Sequence, residues 1–413
     1  MGKKVIVIGG GAAGMMAAVQ AAKAGAKVIL LEKMKRTGKK MLITGKGRCN
    51  ITNSAEIRDL IKNMTGNGHF LYSAIATFSN DAVMEFFADL GVPTKVERGG
   101  RVFPVSDKAA DVVGALMRAM HRLAIEIVVD TAVTAVEVKN GQVVGVKTNT
   151  GAIYAAEAVI IATGGASYPG TGSTGDGYKI ASQLGHTIIE LKPSLVPLEI
   201  EEDWLKEAQG LSLRNVKVTA LADDKVIAEE FGEMLFTHFG VSGPIVLSLS
   251  RAIVKALSDG ANVDIVINLK PALSSEQLDK RIQRDFEKFL RKQVKNSLGE
   301  LLPAKLINPI IDQAYLDPEK QINQVTREER LRLAEVITHL TLTVTKPRPL
   351  AEAIVTAGGV STKEINPKTM ESKLVSGLYF AGEVIDVDGY TGGYNLQAAF
   401  STGYAAGTYA GFA

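Results

Sequence analysis

Apolar residues in this chain follow two rhythms. In "KKVIVIGGGAAGMMAAVQAAKAGAKVILLEK" two short solid runs, Val5 to Ile8 and Val28 to Leu31, bracket a stretch of small residues from Ala12 to Ala24. Unbroken apolar runs of this length read as buried strands, and a long small-residue stretch closed by Gly25 reads as a helix. The segment therefore predicts strand, turn, helix, strand. Helical spacing returns at residues 79–91 and 107–124. Residues 125–162 then alternate in strand fashion as "IEIVVD", "TAVTAVEVKNGQVVGVKTNTG" and "AIYAAEAVIIATGG", with "KNGQ" marking a hairpin turn.

The texture changes after Pro193. "LVPLEIEE", "VKVTALADDKVIAEEFGEMLFTHFGVSGP" and "NVDIVINLKP" read as antiparallel strands. From Ser274 to about Leu340 the pattern is helical and charged. "KPRP" at 346–349 punctuates a return, and the last stretch reads strand, loop and small-residue helix. The expected fold is α/β: one discontinuous Rossmann-like domain over 1–192 and 345–413. It carries an inserted β-barrel-like part over 193–273 and a small helical subdomain over 274–344.

Composition narrows this picture. The chain has 413 residues, a hydrophobic share of 46% and 41 glycines, which suits an α/β protein with many tight strand-to-helix turns. A net charge of +3 gives no argument for nucleic acid or a membrane surface as partner. One cysteine allows no internal disulfide and no CxxC site, which fits a reducing cytoplasm. The N-terminal apolar run breaks at glycines after four residues, too short for a leader peptide, and no window is long enough for a transmembrane span.

The first motif with chemistry is Gly9-x-Gly11-x-x-Gly14, set between strand and helix. Gly9 permits the tight turn, Gly11 lets a pyrophosphate approach the backbone, and Gly14 lets helix and strand pack closely. The first helical turn, with Ala12 and Ala13, offers free N–H groups and the positive end of the helix dipole to phosphates. Glu32 ends the second strand, where its carboxylate can accept from both ribose hydroxyls; Lys33 follows it. That acid argues against a 2′-phosphate and so against NADP at this site, leaving FAD or NAD.

The strands ending "VIIATGG" resemble the second adenine-side element of flavoproteins of the glutathione-reductase-like superfamily. The resemblance implies backbone near Val133 at the adenine, with Thr163 and Gly164 near the pyrophosphate. "LYFAGE" followed by "GGYNLQAAFSTGYAAG" resembles the closing motif of the same superfamily. There Gly382 and Glu383 would approach the ribityl chain. The helix beginning near Asn395, Leu396 and Gln397 would aim its positive end at the flavin pyrimidine. Glu at 383 and "GSTGDGYKIASQLGH" look more like the fumarate-reductase branch.

In that setting the loop "TGKGRCNITN" reads as a flavin-lining segment. Glycines keep its backbone close, Arg48 and either Lys39 or Lys40 can balance phosphate charge, and Asn50 can donate and accept at the flavin edge. Cys49, with no partner cysteine, reads as a packing or backbone contact rather than a reactive thiolate. "TGKGRCNITN", "YPGTGSTGDGY", "GEMLFTHFGVSGP" and "GYTGGYNLQAAFSTG" together resemble one group, the bacterial NAD(FAD)-utilising dehydrogenases. That family includes aminoacetone oxidase and a bile-acid-inducible flavoprotein. The resemblance covers nearly the whole chain and implies a two-part insertion in an FAD domain.

Other features weigh less. Gly170-x-Gly172-x-x-Gly175 also fits a dinucleotide turn, but Pro169 and "SYP" part it from its strand. NAD(P)H would then bind only transiently over the flavin. The histidines at 69, 121, 186, 238 and 339 lack metal-ligand spacing. His238 reads as structural, with a substrate-facing acid/base role as the alternative. Tyr390 and Tyr394 flank the last loop, as pocket or as core. The expected activity is that of an FAD-dependent oxidoreductase passing hydride between flavin N5 and a small organic substrate or NAD(P)H. The alternative is a flavin-holding module whose redox state signals to a partner.

Overall fold

The structure, a computed structural model, describes residues 2–412. It divides the chain into two compact units, one running to Lys192 and resuming at Ala353, the other Pro193–Glu352.

The first unit is built on a five-stranded parallel sheet. Its elements are β1 (Lys4–Ile8), α1 (Ala12–Lys23), β2 (Lys27–Leu31), α2 (Lys39–Ile43), β3 (Glu126–Val128), β4 (Ala158–Ile161), β5 (Leu378–Phe380) and α3 (Tyr394–Gly411). The strand order is β5-β4-β1-β2-β3, parallel at every pairing. Val5, Ile6, Val7 and the whole of β4 are buried, as both-face burial of a parallel strand requires. The turn at Asn140 (φ 54) and Gly141 (φ 75) joins two strands of a separate antiparallel meander, both residues left-handed as a tight hairpin demands. The helices expected at 79–91 and 107–124 are Asn80–Asp89 and Ala109–Arg122.

Two helices meet through missing side chains. A Cβ added at Gly403, Gly407 or Gly411 of α3 would stand 2.4, 2.2 or 2.7 Å from the carbonyl oxygens of Ala13, Ala17 and Ala21 of α1. Spaced four apart, these glycines let the two backbones touch along three turns. That contact fixes where α3 begins relative to the β1–α1 turn.

The second unit is a closed antiparallel barrel of six strands with its own hydrophobic core. The α/β fold with a barrel insertion stands as the sequence suggested. The barrel and the helices Ser275–Glu287, Ala304–Gln313 and Arg327–Thr338 share that one core. Capping boxes at Ser274/Gln277 and Thr326/Glu329 start two of the helices. The return to the first unit comes later than residue 345, because Leu340–Pro347 pairs with Leu198–Ile200 to close the barrel. Arg348 then ties to Glu199 at 2.7 Å and to Glu352. A helix the strand reading passed over, Pro244–Ser258, also lies in this unit.

Candidate cofactor site

The site is assembled at the carboxyl ends of β1, β4 and β5, where open α/β sheets place their ligands. Gly9 holds φ 103, and a Cβ there would lie 2.6 Å from the carbonyl oxygen of Ala162, just past β4. A Cβ on Gly14 would lie 1.9 Å from the Gly9 carbonyl oxygen. Those two glycines are therefore packing requirements. Gly11 is different: nothing lies within 4 Å of its added Cβ. No side chain caps α1, so its first turn, with Ala12 and Ala13, presents its amides at this opening.

Glu32 sits beside that opening, about nine-tenths buried. Its Oε2 accepts from the Gly10 amide at 2.7 Å and its Oε1 from the Met34 amide at 2.7 Å. Two of the carboxylate's four acceptor positions are thereby used to orient it, and two remain for hydroxyl donors. Thr131 donates to the Glu32 carbonyl at 3.0 Å, which brings the strand beginning at Val133 alongside. Lys33 turns to Asp176, 2.6 Å away.

Glu383, the residue after Gly382, gathers four segments. Its Oε2 accepts from Lys40 Nζ at 2.8 Å, and its Oε1 accepts from the Thr356 amide at 2.9 Å and from Ser167 Oγ at 3.2 Å. Lys40 also donates to Ser167 Oγ at 2.9 Å. Gly382, at φ 75, abuts α1: its added Cβ would stand 2.8 Å from the Ala13 Cβ. Ser167 and Thr356 were not singled out from sequence. Ser167 lay in plain view in "SYP", but only the fold shows that it faces Glu383.

Two buried polar atoms on segments expected to line the cofactor lack a partner in the protein, Asn50 Oδ1 and Thr163 Oγ1, the latter lying against Gly177. An uncapped helix start beside an open Gly11 suits a cradle for a polar ligand. The start of α3 is similar. Gly393, at φ 102 and pressed against Thr52, precedes it, and no side chain caps it.

Several expected contacts take another form. Arg48 does not stand free for a phosphate. Glu97 at 2.9 Å and Asp107 at 3.3 Å capture its guanidinium, which stacks 3.9 Å over the Phe103 ring. Lys39 donates to the Gly170 carbonyl at 3.0 Å. Cys49 is fully buried at φ 63, and burial pushes its thiol up to about 12. Asn395 uses its side chain on the Gly389 amide and on the carbonyls of Gly389 and Tyr390. Gln397 uses its own on Thr52, Phe78 and Ser401. Leu396 packs half-buried against the core. At the start of α3 the side chains of Asn395 and Gln397 are thus engaged within the protein, and the uncapped first amides of the helix are left for a ligand. The loop before it is clamped by Thr65 on Asp388 and Asn67 on Asp386, residues the motif reading did not reach.

The second glycine motif forms a short turn, Pro169–Thr171, before a helix, and Glu190 belongs to a separate two-stranded sheet. It builds no second dinucleotide unit. His186 is buried with Nε2 2.9 Å from Ser372 Oγ and Nδ1 3.2 Å from Glu364 Oε2, while His238 is exposed in the barrel unit. Among the described residues no group of three or more His, Cys, Asp or Glu could hold a metal, and no helix is long and apolar enough to cross a membrane.

The net charge of +3 averages over an uneven distribution. Between Glu32 and Glu56 stand seven cations, Lys33, Lys35, Arg36, Lys39, Lys40, Lys46 and Arg48, and no acid.

Comparison with known proteins places this geometry. A family model described as the HI0933-like protein Rossmann domain matches residues 3–409. A 3-dehydro-bile acid delta(4,6)-reductase from Clostridium scindens is 35% identical over 410 residues, 98% of this chain and 98% of its own. Ribosomal RNA dihydrouridine synthases from Haemophilus influenzae and Escherichia coli are 34% and 32% identical, over 97% of this chain and 96% of theirs. A flavocytochrome c3 fumarate reductase superposes with a TM-score of 0.53 at 19% identity, over 99% of this chain and 78% of that one. A 3-ketosteroid-delta4-(5alpha)-dehydrogenase from Rhodococcus jostii gives 0.53 at 17%, over 99% and 97%. These two solved structures share the fold.

Proposed function

This chain belongs to the HI0933-like family of FAD-binding Rossmann proteins, and from that premise we propose that it is an FAD-dependent reductase of carbon–carbon double bonds conjugated to a carbonyl, acting on uridine within RNA. The relatives named above suggest the bond type. Saturating the bond next to the carbonyl, in a 3-keto steroid as in a uridine ring, adds hydride at the carbon β to the carbonyl and a proton at the α carbon; the outer bond of a 4,6-dienone takes hydride at the δ carbon by the same conjugation.

FAD, when bound, supplies the hydride. The chain's own residues hold and orient it. The uncapped start of α1 and the open face of Gly11 take the pyrophosphate. Glu32, fixed by two amides, takes the ribose hydroxyls. The Lys40–Glu383–Ser167 network keeps the ends of β4 and β5 in register beside them. The uncapped start of α3 offers positive potential toward negative charge on a reduced ring. NAD(P)H, as the donor in this reading, would bind transiently, because the described residues build no second dinucleotide turn at Gly170–Gly175.

The observation that carries RNA over a sterol-like substrate is the set of four cations in this segment, Lys35, Arg36, Lys39 and Lys46, that among the described residues are not paired with a carboxylate as Lys33, Lys40 and Arg48 are. A bile acid asks for an enclosed apolar pocket, whereas a polyanion asks for cations without competing carboxylates. The test is anaerobic reduction of the flavin with NADH or NADPH, followed by unmodified ribosomal RNA or a Δ4 3-keto steroid. Reoxidation by RNA with dihydrouridine in its digest is the expected result. Reoxidation by the steroid alone would transfer the activity to that substrate class, and a flavin that neither reoxidises would favour the signalling module.

A further inference from the structure

We infer that the turn Ser167–Gly170 displays Tyr168 as a stacking platform for an unpaired base of single-stranded RNA, with neighbouring phosphates met by Lys35, Arg36, Lys39 and Lys46. This deepens the proposed reading of RNA as substrate and rests on it.

The backbone is the first observation. Tyr168 sits at φ 51, ψ 60, a left-handed conformation that a bulky aromatic residue rarely adopts. Such a conformation persists only where the surroundings over-determine it. Here they do. Ser167, before it, is fully buried and bonded to Lys40 Nζ at 2.9 Å and Glu383 Oε1 at 3.2 Å. Gly170, after it, gives its carbonyl to Lys39 Nζ at 3.0 Å. Thr171 donates from its amide and its hydroxyl to the Tyr168 carbonyl, at 2.8 and 2.7 Å. Two consecutive lysines of α2 thus grip the turn on either side of Tyr168 and Pro169.

The ring is the second observation. On this firmly held turn Tyr168 is 39% exposed. The fixed backbone therefore serves to present the ring.

The surroundings are the third. A Cβ on Gly172 would stand 2.9 Å from Met34 Cγ and 3.7 Å from Lys33 Cε, so the turn lies against the start of the cationic segment. Lys35, Arg36 and Lys46 are exposed, and among the described residues no carboxylate lies within 4 Å of them or of Lys39. Lys33, Lys40 and Arg48, by contrast, are matched with acids. An exposed aromatic side chain on a turn that lies against a segment carrying unmatched cations is an arrangement suited to single-stranded nucleic acid: the ring stacks on a base and the cations release counterions from the phosphates.

The experiment uses the FAD-loaded protein and a fluorescently labelled uridine-rich 12-mer RNA, with anisotropy measured across a salt series. Flavin content and Tm serve as folding controls. Tyr168→Phe and Tyr168→Trp should bind within about twofold of the parent, and Tyr168→Leu, bulky but without a π face, should bind about tenfold more weakly. The Lys35→Gln/Arg36→Gln variant should lower the salt slope by about 0.7 for each phosphate it no longer neutralises. If the parent binds RNA and Tyr168→Leu binds equally well, the platform is overturned while RNA as substrate stands. If the parent shows no salt-dependent RNA binding, the substrate reading fails and the platform with it.

Discussion

Lys40 Nζ lies 2.8 Å from Glu383 Oε2 across 343 residues of sequence. The pair joins α2 to the end of β5, and Ser167 and Thr356 complete its hydrogen bonds. Both side chains are about three-quarters buried or more, so the pair is screened less than a surface ion pair. A double-mutant cycle with Lys40→Met and Glu383→Gln should give a coupling of about 1 kcal/mol in chemical denaturation. Each single variant should also release FAD faster on dilution. Additive effects on stability, with no change in flavin release, would reduce the pair to ornament.

The contact between α3 and α1 predicts an asymmetry among glycines. Gly407→Ala would push a methyl to 2.2 Å from the Ala17 carbonyl oxygen, a backbone atom that cannot turn aside. The cost should be about 3 kcal/mol, read as a lowered denaturation midpoint. Gly299→Ala, with nothing within 4 Å of the new methyl, should stay within about 0.5 kcal/mol of the parent.

His186 and Glu364 predict loss of stability in acid. Ser372 Oγ accepts from the Leu374 and Val375 amides, so its proton goes to His186 Nε2, leaving Nδ1–H toward Glu364. Burial holds His186 below its ordinary 6.5 despite that carboxylate. The unfolded chain therefore binds the proton first, and stability falls as pH drops below about 6.5. Glu364 is held below the ordinary 4.5: burial pushes it up, but bonds from Thr187 and the nearby imidazole outweigh that. Its contribution is present above 4.5 and is lost as pH falls through the folded value, so both groups act in one direction. Midpoints measured from pH 7.5 to 4 should fall for the parent, and His186→Gln, less stable at pH 7.5, should fall less steeply between 6.5 and 5.

Cys49 should be silent as a thiol. It is fully buried with its ionisation pushed up to about 12, so a thiol reagent at pH 8 should find no reactive group until denaturant is added. Cys49→Ser should retain FAD and most turnover. Rapid native labelling, or lost turnover with FAD retained, would return the sulfur to the chemistry.

What was legible in the chain is what is local. The β1–α1–β2 unit, its glycines and Glu32 stand within some 30 residues, and the "KNGQ" hairpin turn is fixed by two adjacent residues. Pro244–Ser258 is a local element that the strand reading missed although it carries a signal: Gly243-Pro244 opens it, and Ile245, Leu249 and Ile253 follow at helical spacing inside a stretch otherwise rich in strand formers. The partners of polar side chains were not legible. Arg48 reads as a phosphate ligand until Glu97 and Asp107, 49 and 59 residues away, fold against it. Glu383 reads as a lone motif acid until Lys40 and Ser167 arrive from 343 and 216 residues away. The whole-chain value of +3 is likewise an average, and it includes a segment with seven cations and no acid in its sequence.

The glycines of the β1–α1 turn separate folding from cofactor binding. A methyl on Gly14 meets the Gly9 carbonyl oxygen at 1.9 Å, so Gly14→Ala must displace α1 from β1 and destabilise the protein with or without FAD. Gly11 holds φ −82 at the start of α1, a conformation open to any residue, and its methyl would meet nothing. Gly11→Val should therefore fold with a midpoint close to the parent's when both are stripped of FAD. The same side chain would occupy the space in front of the uncapped amides of α1, where the pyrophosphate is proposed to sit. FAD affinity of Gly11→Val, followed by quenching of flavin fluorescence on titration, should fall by about a hundredfold or more. A Gly11→Val protein that binds FAD as tightly as the parent would move the pyrophosphate away from this turn, whatever its stability.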